Sequence, residues 1–279
     1  MPGKKYLVLT FLPLFLSSTI LNAQELISSL DKYMKAESAL YGFNGNVLVA
    51  KAGKIIYQNS FGLADFSTKK TLDKNSVFDI GSIAKEFTAV GVLMLKDKGV
   101  LSLSDSLGKL LPRLPYPNVT VQQLLTHTSG MPDGYDLVAE FFDHNKIATN
   151  NDLLDLLATK KPALYFKPGE DLMYSGTGFN LLASIIEKIS GESYHDYINE
   201  KIFKPLGMSH SMVANFPRPP EKILNYANGF IYNNSLKKYI RADSLFIDWA
   251  TYFSGITGEG MIVTTADDLL KWDRALQNN

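Results

Sequence analysis

The stretch Phe-Asp-Ile-Gly-Ser-Ile-Ala-Lys-Glu-Phe-Thr, residues 78–88, joins a short apolar segment and a glycine to the start of a long apolar helix. Ser82 and Lys85 are three residues apart, so a helix here places a hydroxyl and an amine on one face. A serine in the first turn lies near free N–H groups and the positive end of the helix dipole, which stabilise a developing oxyanion. A partly desolvated lysine can be neutral and accept the serine proton. The structural alternative is a capping serine beside a lysine whose amine reaches solvent.

The Ser-x-x-Lys spacing is weak evidence by itself, because it recurs elsewhere in the chain. The other occurrences start at Ser29, Ser67, Ser106 and Ser235. They fall in a predicted surface helix, in polar loops and in a short segment rich in turn residues. A purely structural buried lysine also needs a carboxylate partner, and Glu86 points about 100° away from Lys85 around the helix. The lack of a local carboxylate favours a chemical role for Lys85.

The composition excludes several classes of protein. Of 279 residues, 28 are Lys or Arg, 28 are Asp or Glu, and none is Cys. Disulfides, thiolate nucleophiles and cysteine-ligated metal sites are therefore ruled out, and the balanced charge gives no sign of a nucleic-acid partner. The four histidines are scattered, so we expect no metal. No phosphate-binding loop is present, so we expect no cofactor; the glycine-rich residues 255–260 fit a turn before the last helix.

The N-terminus has the layout of a signal peptide. Lys4 and Lys5 precede a mainly apolar run at residues 6–21, and a small residue, Ala23, closes the segment. We expect a signal peptide at residues 1–23 and an exported bacterial protein, periplasmic or secreted, with no stable membrane anchor after cleavage. A membrane anchor is the alternative, but the run is short for a bilayer span.

Apolar spacing and turn residues predict a mixed fold, with strands at both ends of a mostly helical middle. The predicted hairpins cover residues 45–61 and 226–240. The predicted helices cover residues 24–40, 82–98, 121–126, a segment capped by Asn150 or Asn151 and ending at Leu157, 179–190, 194–203 and 266–276. A capping box at Thr120 and Gln123 opens the third helix, and Thr264 or Thr265 caps the last.

Residues 78–88 closely resemble the nucleophile segment of the penicillin-recognising serine hydrolases, in the branch of class C β-lactamases, D-alanyl-D-alanine carboxypeptidases and related serine esterases. Residues 124–132, Leu-Leu-Thr-His-Thr-Ser-Gly-Met-Pro, are similar to a second segment of this branch. Residues 173–182 resemble its Tyr-x-Asn motif and the following helix, and residues 260–272 a later segment. The resemblance implies an α/β fold of the β-lactamase/transpeptidase type, an antiparallel sheet flanked by helices with an additional helical region.

The resemblance also implies a site. Ser82 would be the nucleophile that accepts the acyl group, Lys85 its proton partner and Tyr174 a phenol that shuttles the proton. Either Lys85 or Tyr174 could be the base, because a coupled pair need not have a single answer. Gly176 stands at a substrate-binding position where the family usually has Asn, so it offers no amide to hold a substrate carbonyl. We expect His127 to stabilise a turn rather than to catalyse.

The family's last motif, Lys-Thr-Gly or His-x-Gly, is not found before the chain ends at Asn279. We therefore expect residues 24–279 to be a serine hydrolase domain that is incomplete at the C-terminus, with its C-terminal strands missing and the hairpin at residues 45–61 left with an exposed edge. The expected function is acyl-enzyme hydrolysis of an amide or ester, with a small-molecule or peptidoglycan-like substrate. The alternatives are a non-catalytic penicillin-binding or sensor protein and an inactive fragment of the same fold. The oligomeric state is left open.

Overall fold

The computed structural model describes residues 14–214, 223–244 and 252–277, and the chain forms two compact units. The first consists of Met1–Leu63 with Thr71–Lys74, and the second of Ala64–Lys70 with Asn75–Asn279. Most of the predicted signal peptide, residues 1–13, lies outside the described residues. The predicted cleavage point after Ala23 falls within the first helix, and the signal peptide stays a prediction.

The secondary structure is as follows. In chain order, the first elements are α1 (Leu14–Tyr41), β1 (Gly45–Lys51), β2 (Lys54–Phe61), β3 (Leu63–Asp65) and β4 (Lys70–Thr71). They are followed by β5 (Phe78–Asp79), α2 (Ala84–Asp97), α3 (Leu107–Leu110), α4 (Val121–Leu125), α5 (Gly134–Phe141), α6 (Asn150–Lys160), α7 (Gly176–Ser190), α8 (Tyr194–Ile198), β6 (Met212–Val213), β7 (Phe230–Asn233), β8 (Lys238–Arg241), β9 (Ile262–Thr264) and α9 (Ala266–Gln277). Of the helices in the described ranges, none combines the length and the apolar character needed to cross a membrane.

In the first unit, β1 and β2 form the predicted hairpin in antiparallel register, with Gly45 opposite Phe61. Its two-residue loop has positive φ at both positions, 48° at Ala52 and 72° at Gly53. Such a loop matches the right-handed twist of the flanking strands, so a short Ala-Gly connection suffices to reverse the chain. Asp31 on α1 accepts a hydrogen bond from the Tyr57 hydroxyl on β2, at 3.3 Å.

In the second unit, the helices α2 and α7 pack against each other and form much of the core. Gly91 on α2 allows this approach, because a Cβ there would stand 3.1 Å from Cδ1 of Ile186 on α7. Phe87 is fully buried and stacks on Trp272 of α9, with the ring centroids 4.2 Å apart. The apolar α2 helix is thus buried along one face, whereas Leu93 on its other side is 39 % exposed.

A three-stranded antiparallel sheet of order β5-β9-β6 lies beside these helices. Phe78 pairs with Thr264 and Asp79 with Val263, so the end of β5 and the start of β9 meet. This pairing brings the segment before β9 next to the segment after β5. Antiparallel strands at both ends of a helical middle, with helices packed beside the sheet, agree with the predicted α/β fold class.

Several predicted boundaries need correction. The α6 helix is capped by Thr149, whose side chain accepts from the N–H of Asp152 in a capping box, and not by Asn150 or Asn151. It also continues beyond Leu157 to Lys160. The capping box at Thr120 and the cap at Thr265 are confirmed.

The starts of α2 and α7 also differ from prediction. Ser82 belongs to a 3₁₀ turn, Gly81–Ile83, that precedes α2, so the α-helix itself begins at Ala84. The α7 helix begins at Gly176, because the Ser175 side chain caps it by accepting from the N–H of Gly178. The first turn contains two glycines, Gly176 and Gly178, and no large apolar residue, so apolar spacing did not reveal where the helix begins.

Candidate active site

Ser82 lies where the chain leaves the sheet and enters α2. Gly81 has φ of 51°, a left-handed conformation that glycine adopts without a steric cost. Its N–H donates to Oδ1 of Asp79 at 2.9 Å, and the N–H of Ile80 donates to the carbonyl of Ile262 on β9 at 3.0 Å. The chain turns sharply at this point, so the Ser82 side chain is exposed while the helix that follows is buried. An exposed hydroxyl on a fixed turn is accessible to an incoming acyl group.

Lys85 is one turn further along and is only 6 % exposed. Its Nζ lies 3.2 Å from Ser82 Oγ, 2.7 Å from Glu259 Oε2 and 2.8 Å from the Glu259 backbone carbonyl oxygen. The structure thus brings together the predicted pair of hydroxyl and amine. It also supplies a buried carboxylate partner for the lysine.

Glu259 is the residue that sequence reasoning missed. The helix around Lys85 offers no suitable carboxylate: Glu86 instead accepts from Trp272 Nε1 at 2.9 Å. The partner comes from the glycine-rich segment at residues 255–260, interpreted above as a plain turn. The ladder between β5 and β9 carries this segment to the start of α2. The interpretation of Lys85 as a lysine without a carboxylate was therefore wrong, because the partner is distant in sequence.

The loop that carries Glu259 is held by helices on several sides. The Gly258 carbonyl accepts from Thr88 Oγ1 of α2 at 2.6 Å. The Thr257 carbonyl accepts from the Asn150 side chain of α6 at 3.1 Å and from the Asn180 side chain of α7 at 2.9 Å. Gly258 has φ of 103°, and a Cβ there would stand 2.4 Å from the Phe179 carbonyl oxygen. The backbone beside Glu259 is therefore fixed before any ligand arrives.

Tyr135 of α5 completes the surroundings of the carboxylate. Its hydroxyl donates to Glu259 Oε1 at 2.8 Å, while Lys85 contacts the other oxygen. Burial, and then the negative charge of Glu259, raise the pKa of Tyr135 well above its ordinary value. Tyr135 therefore remains a phenol at neutral pH and serves as a hydrogen-bond donor.

Tyr174 also lies close to Lys85 and is 58 % exposed. The centroid of its ring is 4.8 Å from Lys85 Nζ, within the range of a cation–π contact. The structure thus brings Ser82, Lys85 and Tyr174 into one group, as the sequence predicts. Lys85 is the member that contacts both of the others.

His127 packs against Tyr174. Its ring packs on the Tyr174 ring with a centroid distance of 4.6 Å, and its Nδ1 accepts from the Ser175 N–H at 3.1 Å. Its carbonyl accepts from the Met173 N–H at 2.9 Å, although the residue has a left-handed φ of 59°. Partial burial, and then the charge of Lys85, lower the pKa of His127. A neutral ring suits an accepting Nδ1, so His127 holds the turn, as predicted.

Gly176 lies beside the carboxylate at the first position of α7. A Cβ built there would be 3.2 Å from Glu259 Oε2 and 3.4 Å from the carboxyl carbon. The volume that a side chain at position 176 would enter is therefore taken up by the Glu259 carboxylate.

Comparison with known proteins gives a consistent set of similarities. A family model described as Beta-lactamase matches residues 30–279. Penicillin-binding protein 4* of Bacillus subtilis is 43 % identical over 235 residues, which are 84 % of this chain and 52 % of that protein. The chain thus spans about half the length of this curated relative.

Two solved structures extend the comparison and confirm the predicted β-lactamase/transpeptidase-like fold. A penicillin binding protein from Bacillus halodurans superposes with a TM-score of 0.74 and 28 % identity, over 88 % of this chain and 72 % of that one. The D-amino acid amidase of Ochrobactrum anthropi, in complex with L-phenylalanine amide, gives a TM-score of 0.65 and 26 % identity, over 84 % and 63 % of the two chains.

Proposed function

This chain belongs to the beta-lactamase family of penicillin-recognising serine hydrolases, and from this premise we propose that it cleaves an amide or ester through an acyl-enzyme on Ser82. The observation that carries the proposal is the contact between Lys85 Nζ and Ser82 Oγ at 3.2 Å, with the amine buried and the hydroxyl exposed. A nucleophile and its proton partner within hydrogen-bond reach are the mark of activated serine chemistry.

The proposed reaction has two steps. The Ser82 oxygen attacks the acyl carbon as its proton passes to the amine of Lys85 or the phenolate of Tyr174. The tetrahedral intermediate then collapses, the bond to the leaving amine or alcohol breaks, and the leaving group takes up that proton. A water molecule next attacks the acyl carbon of the acyl-enzyme and gives one proton to the same base. The bond to Ser82 then breaks, the base passes that proton to the serine oxygen, and the carboxylic acid is released.

The substrate class is part of the proposal. We propose a small-molecule or peptidoglycan-like amide or ester, since the relatives include a protein described as an amidase and others described as penicillin-binding proteins. We also propose that the chain is exported and that its signal peptide is cleaved after Ala23, as the pattern of its first residues predicts.

The test is covalent labelling of the purified chain with a fluorophosphonate and with a labelled penicillin. We expect one adduct, located on Ser82 by peptide mass spectrometry and lost in Ser82→Ala. Ser106→Ala, which removes the serine of another Ser-x-x-Lys spacing, is the matched control and retains the adduct. A folded chain that reacts with neither probe would contradict the proposal, and a penicillin adduct that never turns over would favour a penicillin-binding protein without hydrolysis.

A further inference from the structure

We propose that Glu259 is a positioning residue for acyl transfer at Ser82, and that Gly176 is the position that makes room for it. The inference rests on the proposed function of Ser82. It assigns a role to a carboxylate that the reaction as described above does not use.

The geometry around Lys85 Nζ is the first argument. A tetrahedral nitrogen has three positions available beyond its own side chain, occupied by N–H bonds or by a lone pair. The Glu259 carboxylate oxygen and its backbone carbonyl, at 2.7 and 2.8 Å, take two of them. The remaining position faces Ser82 Oγ at 3.2 Å. Glu259 therefore directs the nitrogen at the nucleophile, in the amine form as well as in the ammonium form.

The rigidity of Glu259 is the second argument. Its side chain is 14 % exposed, and its second oxygen accepts from the Tyr135 hydroxyl at 2.8 Å. The adjoining backbone is bonded to α2, α6 and α7 through Thr88, Asn150 and Asn180. A group that aims another must itself be fixed, because a displacement of about 1 Å can cost about a hundredfold in rate.

The space beside Gly176 is the third argument. A methyl group at this position would stand 3.2 Å from Glu259 Oε2, which is closer than ordinary van der Waals contact. The carboxylate would have to move, and the contact with Lys85 would change with it. Gly260, in the same loop as Glu259, offers a control, because a Cβ there meets no atom of the described residues within 4 Å.

The experiment measures the kinetics of fluorophosphonate labelling, separated into the maximal rate kinact and the binding constant KI. Labelling of the wild-type chain on Ser82 is established first, so failure of the proposed function would be seen there. We expect Glu259→Ala to lower kinact by about 10- to 100-fold with little change in KI. Glu259→Gln, which keeps an acceptor oxygen at the same reach, should recover part of the loss, and it covers the case in which Glu259→Ala does not fold.

A double-mutant cycle then tests the role of Gly176. We expect Gly176→Ala to lower kinact in the wild-type background and to have little effect in the Glu259→Ala background, since the added methyl group acts through the carboxylate. Gly260→Ala should label at the wild-type rate.

Two results would overturn the inference while leaving the proposed function intact. One is labelling of both Glu259 variants at the wild-type kinact, or with a loss confined to KI. The other is an effect of Gly176→Ala that is equally large with and without the glutamate.

Discussion

The starts of α2 and α7 carry the two halves of the candidate site and are built in different ways. At the start of α2, Lys85 is buried and its charge is met by Glu259, which lies 174 residues further along the chain. At the start of α7, Tyr174 is largely exposed and rests on His127, to which its own segment is bonded. An amine taken out of water needs a counter-charge, which the fold here brings from a distant segment, whereas the exposed phenol is supported by residues near it in space.

The substitution with the largest expected effect at the start of α2 is Lys85→Met. It removes the proposed proton partner, so labelling of Ser82 should slow by about 10²- to 10⁴-fold. It also leaves Glu259 buried without a cation, so we expect the free energy of unfolding to fall by about 3 kcal/mol in urea denaturation. The matched control is Lys204→Met, which breaks the exposed pair with Glu200 and should cost no more than about 1 kcal/mol. Equal losses of unfolding free energy in the two variants would contradict the view that Lys85 compensates a buried charge.

The corresponding change in the α7 half is Tyr174→Phe. We expect labelling to slow by about 10²-fold or more if the phenol carries the proton, with an unchanged urea midpoint, because the hydroxyl lies on an exposed side chain. Tyr232→Phe, at an exposed tyrosine of β7, is the control for both measurements. If Tyr174→Phe lowers the urea midpoint but leaves the labelling rate unchanged, Tyr174 has a structural role at the site and does not carry the proton.

The smallest expected effect concerns the support under Tyr174 and depends on pH. Because burial lowers the pKa of His127 in the folded state, the unfolded chain binds more protons at this residue below pH 6.5 or so. The wild-type chain should therefore lose stability relative to His127→Asn as the pH falls below that value, and the difference should be constant above it. Asn also tolerates a left-handed φ. The measurement is the free energy of unfolding of both proteins, from urea denaturation at several pH values. A difference between them that stays constant across this pH window would show that the ring is not held in its neutral form.

Local patterns in the sequence predict much of the fold. The hairpin at residues 45–61, the apolar helix α2 and the capping box at Thr120 each depend on neighbouring residues, and each is present. Where local signals compete, prediction is less accurate. Thr149 precedes two asparagines that are also good capping residues, and the reciprocal bonds with Asp152 decide in favour of the threonine.

The residues of the candidate site likewise fall into those that local sequence predicts and one that it does not. Ser82, Lys85 and Tyr174 can be chosen from motifs, since each has a recognisable neighbourhood in the chain. Glu259 cannot, because its contact with Lys85 depends on the pairing of β5 with β9 and on the two unusual features of Gly258, a positive φ and a close approach to α7. The one available signal was chemical: a lysine as deeply buried as Lys85 requires a counter-charge from somewhere in the fold.

The anchoring of residues 257–259 has a consequence for protein engineering. A designer who transplants the Ser-x-x-Lys helix into a new scaffold would move the nucleophile without the frame that aims its lysine. The portable unit is larger: it comprises the start of α2, the loop that carries Glu259, and the asparagines of α6 and α7 that bind this loop. For the same reason, a library that aims to alter the reactivity of Ser82 should include Asn150 and Asn180, even though neither side chain is bonded to the serine in the structure described.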